Sequence, residues 1–203
     1  GLLHFDPRGR RQADLVLAGL RKRPVEALGV SIEGGQAVFF VLTASWADLS
    51  VRGWPLPRTC GHYTAGFHLL QATKAEPLHR LLRNQMTAAN VPIEFSKGEA
   101  ANGQHEVNIR YDHVLESADR SVVFKHGAKE IAYLNGWGIT FMAKPDHRWT
   151  GSSGHLHMSL WDVVKDVPLM AAADGEPAGP YGLSQLGQHF MAGMMALSRE
   201  MAV

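Results

Sequence analysis

Two short stretches of the sequence carry side chains whose types and spacing could do chemistry. The first is Glu99-Ala-Ala-Asn-Gly-Gln-His-Glu106, in which a turn at Gly103 can fold Glu99 back toward Glu106. Carboxylates brought together repel each other unless a proton or a cation lies between them, and Mg²⁺ or Mn²⁺ prefers such oxygen ligands. The stretch therefore favours a divalent-metal site, although two solvated acids on a surface loop would give the same pattern.

The second stretch is Gly151-Ser-Ser-Gly-His155-Leu-His157-Met-Ser159. If it forms a strand, His155, His157 and Ser159 share one face. Neutral imidazoles suit divalent metals and phosphate groups, whereas an exposed face on which histidines contact water is the simpler alternative. Together the stretches indicate metal-dependent chemistry on a phosphate-containing substrate, and they leave metal-assisted hydrolysis and ATP-dependent ligation both open. The sequence has neither a Walker A loop nor a G-x-G-x-x-G fingerprint.

Hydrophobic periodicity predicts an α+β fold around these stretches, with antiparallel strands and helices on one side of them. The strands are predicted over 27–32, 36–42, 91–96, 104–111, 139–144 and 155–161. The helices are predicted over 6–23, 77–89, 114–134 and 184–203. Glycine and proline punctuate residues 43–66 and 162–182, which are predicted to be irregular.

Composition narrows the class of protein. The chain has 203 residues, of which 45% are hydrophobic, and a formal net charge of +1, so it suits one medium domain or two small ones. Near-neutral charge argues against a nucleic-acid partner, and no apolar run approaches the roughly 20 residues of a membrane span. Because Cys60 is the single cysteine, no disulfide can form within the chain, which favours a reducing, cytoplasmic location.

The motifs, taken in order, resemble those of the glutamine synthetase superfamily of ATP-dependent ligases. Besides the two stretches above, the matching segments are Ala118-Asp119, Phe124-Lys125, Lys129-Glu130, Thr140-Phe-Met-Ala-Lys-Pro145, Asp6-Pro7-Arg8, Gly61-His62-Tyr63 and residues 190–194. The implied fold is an antiparallel sheet curved into half a barrel and backed by helices. Residues 1–203 would form the N-terminal half of such a catalytic domain. It would be incomplete at both ends, with the β-grasp N-terminal domain and the C-terminal half absent.

The resemblance also implies an activity. In the family, ATP phosphorylates the γ-carboxylate of glutamate, and an amine or ammonia then displaces the phosphate at a site with two Mg²⁺ or Mn²⁺ ions. The segments Gly61-His-Tyr-Thr64 and Ser96-Lys-Gly98 favour the γ-glutamylamide or polyamine branch over the ammonia-using enzyme. The family forms homo-oligomers, and we expect neither a nucleic acid nor a membrane as partner. The alternative is a non-catalytic or truncated relative that keeps the fold and lacks the activity.

Family roles carry over to individual residues of this sequence. By resemblance, the metal-binding side chains are Glu99 and Glu106 at the first ion and His155 at the second. The nucleotide-binding positions are Glu94, Tyr111, His157 and Ser159. The substrate-binding positions are Thr150 and Gly151 for glutamate and Tyr63 for the amine. No residue is assigned as catalytic.

The sequence departs from the family at the first metal-binding strand. The family has Glu-x-Glu before two aromatic residues, whereas in this chain Gln36 and Val38 occupy the acid positions before Phe39-Phe40. Valine cannot bind Mg²⁺ and glutamine offers only a neutral carbonyl oxygen, so each metal position loses one carboxylate. A milder exchange puts Thr150 where the family has asparagine. The loss of the two acids favours the non-catalytic alternative.

Overall fold

The computed structural model describes residues 28–162 and 164–201, so the helix predicted over 6–23 lies outside the described residues. The strands are β1 (Leu28–Leu42), β2 (Ile93–Gly98), β3 (Gln104–Ile109), β4 (Asp112–His113), β5 (Gly138–Thr140), β6 (Leu156–Asp162) and β7 (Val167–Pro168). The helices are α1 (Trp46–Val51), α2 (Leu69–Ala88), α3 (Val114–Leu134), α4 (Gln185–Ala196) and α5 (Ser198–Met201), and a 3₁₀ turn covers Pro180–Gly182.

The chain divides into two compact units. One unit runs from Ile32 to His157 and contains every predicted site residue except Ser159, which belongs to the other unit. Within the first unit, β2 pairs with β3, β3 with β1, and β1 with β5, all antiparallel. An antiparallel sheet combined with helices confirms the predicted α+β fold class.

One face of the sheet in the first unit is covered by helices, and we call it the helix face. Its strand residues alternate in sequence, as expected for side chains that share a face. A single buried apolar cluster joins this face to α2 and α3; it includes Phe39, Val41, Leu78, Leu82, Met86, Val107, Ile109, Phe124, Ala128, Ile131 and Ile139. The intervening residues of β1 and β3 lie on the opposite face, which we call the site face; they are Gln36, Val38, Phe40, Gln104, Glu106 and Asn108.

Several element boundaries differ from those predicted. Helix α2 begins at Leu69 and contains Pro77, which was predicted to start it. Pro77 is exposed, so the carbonyl left without its helical donor can be reached by water. The two strands predicted over 27–32 and 36–42 are one strand, β1, whose pairing with β3 continues through Gly35.

Two further differences have local causes. Helix α1 forms inside the segment predicted to be irregular because Ser45 and Asp48 make a capping box at its N-terminus. Strand β5 ends at Thr140, where the Met142 backbone N–H donates to the Thr140 hydroxyl at 3.2 Å instead of continuing a ladder. The C-terminal helix predicted over 184–203 is divided at Leu197 into α4 and α5.

Candidate functional site

A tight hairpin brings the two predicted metal-binding glutamates together. Strands β2 and β3 pair with Lys97 directly opposite Glu106, and residues 99–103 connect them. Gly103 closes this loop with a φ of 69°, a left-handed conformation that favours glycine, and a Cβ at that position would clash with Thr59. The chain after Glu99 therefore turns back along β2, and Glu99 is carried toward Glu106.

The Lys97 ammonium lies between the two carboxylates. Its Nζ atom donates to Glu99 Oε1 and lies 3.2 Å from Glu106 Oε2. The other two oxygens are also paired, because Glu106 Oε1 accepts from Asn108 Nδ2 at 2.7 Å and Glu99 Oε2 accepts from the Ala100 backbone N–H at 3.1 Å. Every carboxylate oxygen of this cluster thus has a donor, and one ammonium balances one of its two negative charges.

The pKa shifts of the cluster agree with this pairing. Burial opposes the charged form of Lys97, but hydrogen bonds to Glu99 and Glu106 outweigh that effect and raise the pKa of the ammonium. Burial would also raise the pKa of Glu99, yet its hydrogen bonds with Lys97 and with the Ala100 backbone N–H hold that pKa below its ordinary value. At neutral pH, therefore, Lys97 is protonated and Glu99 is ionised.

Val38 completes a row of three side chains across the sheet. Val38 on β1 lies opposite Glu106 on β3, which in turn lies opposite Lys97 on β2. Directly opposite residues of antiparallel strands share a face, with Cβ atoms about 5 Å apart. The family resemblance implies a further carboxylate at position 38. In this chain the methyl groups of Val38 lie beside Glu106 instead.

His155 and Gln36 form a second contact, between positions that resemble the family's second metal site. His155 Nδ1 lies 2.9 Å from Gln36 Oε1. Because an amide oxygen can only accept a hydrogen bond, Nδ1 is the donor in this contact. Gln36 thus orients the His155 ring, and its oxygen is engaged by that ring.

Neither donor set fits a tightly bound divalent ion. Within residues 28–162 and 164–201, no three His, Cys, Asp or Glu side chains are grouped so that they could hold a metal ion. At the first position an ammonium bridges the acids, and at the second the partners are an imidazole and an uncharged amide. Mg²⁺ demands near-octahedral oxygen coordination, usually with carboxylates. The metal-binding roles of Glu99, Glu106 and His155 stay predictions.

Gln104, which was not among the predicted site residues, ties the two sequence stretches together. Its buried side chain donates from Nε2 to the Gly151 carbonyl at 3.2 Å and to Ser152 Oγ at 2.9 Å. Its Oε1 accepts from the Ala101 backbone N–H at 3.0 Å. The alternation of β3 could have identified it, because Gln104 falls on the same face as Glu106.

Lys97 was not among the predicted site residues either. Its sequence position, two residues before Glu99, gives a weak signal, because only the β2–β3 register places it opposite Glu106. Next to it, a Cβ on Gly98 would lie 2.8 Å from Ala65, so the segment around Ala65 approaches β2 closely. From that segment the Phe67 ring reaches Lys97, with 5.6 Å between Nζ and the ring centroid.

The predicted nucleotide-binding positions differ in their surroundings. Glu94, Tyr111 and His157 are exposed, and Ser159 Oγ accepts a hydrogen bond from Trp161 Nε1 at 2.9 Å. Tyr111 lies at an open depression whose other lining residues are Pro92, Arg110, Asp112 and Arg120. These positions are accessible, and their roles stay predictions.

The predicted substrate-binding positions lie in loops. Thr150 and Gly151 are exposed, and the Gly151 carbonyl is held by Gln104. Tyr63 is also exposed, and its ring packs edge-on against His68 with centroids 5.0 Å apart. Substrates could reach all three residues from solvent.

Comparison with known proteins identifies the family. The family model of the glutamine synthetase catalytic domain matches residues 33–203. This chain therefore belongs to the glutamine synthetase family of ligases, as its motifs predicted.

Two of the relatives have names that specify an organic amine. Glutamate–isopropylamine ligase of a Pseudomonas species is 39% identical over 168 residues, which cover 81% of this chain and 35% of that ligase. γ-Glutamylethanolamide synthetase of Streptomyces coelicolor is 39% identical over 143 residues, which cover 70% of this chain and 29% of that enzyme. This chain thus spans about a third of the length of these curated relatives.

Solved structures agree on the fold. A complex of GmaS with ADP has a TM-score of 0.72 and 22% identity, and the match covers 93% of this chain and 40% of that one. A novel glutamine synthase homolog has a TM-score of 0.68 and 25% identity, and the match covers 91% and 39%. Among the described residues, no helix is both long enough and apolar enough to cross a membrane.

Proposed function

We propose that the protein joins an organic amine to the γ-carboxylate of glutamate in an ATP-dependent ligation that passes through a γ-glutamyl phosphate. The observation that carries the proposal is the 39% identity to glutamate–isopropylamine ligase over 81% of this chain. γ-Glutamylethanolamide synthetase supports the same choice, since its name also specifies an organic amine. The predicted γ-glutamylamide branch is therefore favoured over the branch that uses ammonia.

In this proposal the accessible positions contact the substrates. The nucleotide is contacted by Glu94, Tyr111, His157 and Ser159, glutamate by Thr150 and Gly151, and the amine by Tyr63. Gln104 positions the glutamate site, because its hydrogen bond holds the Gly151 carbonyl. The protein is a cytoplasmic homo-oligomer in this proposal, with no nucleic acid or membrane as partner.

Divalent cations enter the proposal as companions of ATP. Mg²⁺ or Mn²⁺ would neutralise the phosphates during transfer. His155, the ligand predicted for the second ion, is oriented by its hydrogen bond with Gln36. Glu99 and Glu106, the ligands predicted for the first ion, form a carboxylate pair that is ion-paired with Lys97.

The proposal is tested by ADP release from ATP by the purified chain. Glutamate is supplied with isopropylamine, ethanolamine or ammonia in separate assays, and a reaction without glutamate measures uncoupled hydrolysis. We expect release to require both glutamate and an amine, with a higher kcat/KM for the organic amines than for ammonia. Release that needs neither glutamate nor amine would contradict ligation and favour the metal-assisted hydrolysis that the two sequence stretches leave open.

A non-catalytic relative is the second candidate. The observation in its favour is the row in which Val38 lies beside Glu106 while Lys97 occupies the other side. This candidate predicts nucleotide or glutamate binding by calorimetry without ADP release under any amine. A folded chain, shown by circular dichroism, that gives no release would favour it over the ligase.

A further inference from the structure

The family resemblance places the first metal at side chains that all lie within the described residues. All three of its side-chain positions, Val38, Glu99 and Glu106, belong to the unit Ile32–His157. The register of β1, β3 and β2 aligns Val38, Glu106 and Lys97 in one row, and Glu99 follows two residues after Lys97. What this position can bind therefore follows from these four side chains.

The carboxylate pair is already fully paired by the chain itself. Lys97 Nζ contacts one oxygen of each acid, while Asn108 and the Ala100 backbone take the remaining two. The Glu106 side chain is only 5% exposed, and that of Glu99 is 25% exposed. A divalent ion entering this position would have to displace an ammonium from between two largely buried carboxylates.

Charge also disfavours a divalent ion. Two carboxylates and one ammonium leave a single negative charge, whereas a position with Glu in place of Val38 and no lysine would carry three. Since a divalent ion is held chiefly by the negative charge of its oxygen ligands, the change from three charges to one weakens the site strongly. Valine adds no oxygen that could compensate.

Lys97 is held in this place by its surroundings. It lies on a paired strand, the Phe67 ring is 5.6 Å from its Nζ, and the close approach of Ala65 to Gly98 keeps that segment against β2. A cation over an aromatic face gains further electrostatic stabilisation. The Phe67 ring thus adds a third electrostatic contact to the two ion pairs of the ammonium.

We propose that the Lys97 ammonium is the resident cation of the Glu99–Glu106 pair and takes the place at which the family holds its first divalent ion. The pair then binds no divalent ion while Lys97 is present. This inference rests on the proposed function and deepens it, because it assigns the positive charge at this position of the site to the protein itself.

The first experiment uses the unmodified chain, so it does not depend on any variant folding. Mn²⁺ is added below one equivalent while backbone amide signals are followed by NMR, since a bound paramagnetic ion broadens nearby signals. We expect the signals of Gly98, Ala100 and His105 to broaden no more than those of exposed residues of α3. Selective loss of those three signals would overturn the proposal.

The second experiment measures Mn²⁺ affinity of the full chain by calorimetry. We expect Lys97→Met to create a site that binds at least about tenfold more tightly, and adding Val38→Glu to gain about a further tenfold. Lys129→Met, which removes an exposed ammonium from α3, is the matched control and should change nothing. Glu106→Gln in the Lys97→Met background should abolish the gain.

The outcomes are decisive in both directions. If folded Lys97→Met and Lys97→Met/Val38→Glu variants gain no affinity, Lys97 is not what excludes the ion, and the proposal fails. If Glu106→Gln in the otherwise unmodified chain weakens Mn²⁺ binding about tenfold or more, it fails as well. None of these readouts requires turnover, so a negative ligase assay would neither support nor weaken the role proposed for Lys97.

Discussion

The two faces of β3 are equally buried but are stabilised in different ways. On the helix face, His105, Val107 and Ile109 pack against α2 and α3, whereas on the site face Gln104, Glu106 and Asn108 are all buried polar groups. Burial itself stabilises the helix face, because apolar area leaves water. Burial costs free energy on the site face unless each polar atom is paired.

The site face meets that condition. Among the described residues, no buried side-chain nitrogen or oxygen lacks a hydrogen-bond partner. A substitution on the helix face should therefore lower the free energy of unfolding in proportion to the side-chain volume that it removes. A substitution on the site face should lower it in proportion to the number of hydrogen-bond partners that it leaves unpaired. Four predictions test this distinction, beginning with the largest expected effect.

The largest effect concerns two histidines that are buried on the helix-face side. His79 Nε2 lies 3.0 Å from His105 Nδ1, and His105 Nε2 lies 3.2 Å from Cys60 Sγ. Burial lowers the pKa of His79 to about 4 and that of His105 to about 3, so both are neutral in the folded chain. Between those values and about 6.5, the unfolded chain binds more protons, and stability therefore falls as the pH falls.

We expect a loss of about 2.5 kcal/mol per histidine between pH 7 and pH 4.5. Urea unfolding at several pH values measures it. His79→Leu should flatten the dependence, whereas the exposed His126→Gln should leave it unchanged. A pH dependence identical in His79→Leu and the unmodified chain would show that the pair is not responsible.

The next effect is a cavity on the helix face. Leu82→Ala in α2 removes a side chain with no exposed surface, and we expect a loss of about 3–4 kcal/mol in the free energy of unfolding. Leu70→Ala in the same helix is the matched control, since Leu70 is 58% exposed and should cost no more than about 0.5 kcal/mol. Similar losses in chemical denaturation would contradict the assignment of Leu82 to the core.

A smaller loss of stability is expected when polar groups on the site face lose their hydrogen-bond partner. Gln104→Leu nearly conserves volume but leaves the Gly151 carbonyl, the Ser152 hydroxyl and the Ala101 N–H without their shared partner. We expect a loss of about 2 kcal/mol, measured by urea unfolding. Gln104→Glu keeps one acceptor for Ala101 and loses the donor, so it should also be destabilised; full stability of both variants would mean that this link is dispensable.

The smallest effect is that of the site-face ion pair. Lys97→Met leaves Glu99 and Glu106 facing each other, and we expect a loss of about 1–2 kcal/mol at pH 7. The pKa of Glu99 is lowered by the folded structure, so this stabilisation is present at neutral pH and disappears as the pH falls through that lowered pKa. The difference between Lys97→Met and the unmodified chain should therefore shrink in acid; a difference that stays constant with pH would argue for lost packing instead.

Much of the local pattern was predictable from sequence because it depends on near neighbours. Alternation places Glu106 and Asn108 on one face of β3 and Val107 and Ile109 on the other, and the structure agrees. Helix α3 was predicted over the residues that it occupies, 114–134. Helix α2 was predicted eight residues too short at its start because Pro77 usually begins a helix, whereas packing on the sheet extends this helix past it.

The sequence by itself determined the family, the α+β class and which side chains carry charge or metal-binding atoms, because motif order and alternation are properties of the chain. Only the tertiary structure decided what those side chains touch. The register of β2 against β3 puts Lys97 beside Glu106, and a contact across 119 positions puts Gln36 on His155. Strand register depends on packing and turn geometry summed over distant segments, so the pairing that leaves an ammonium in the carboxylate site is a property of the folded chain.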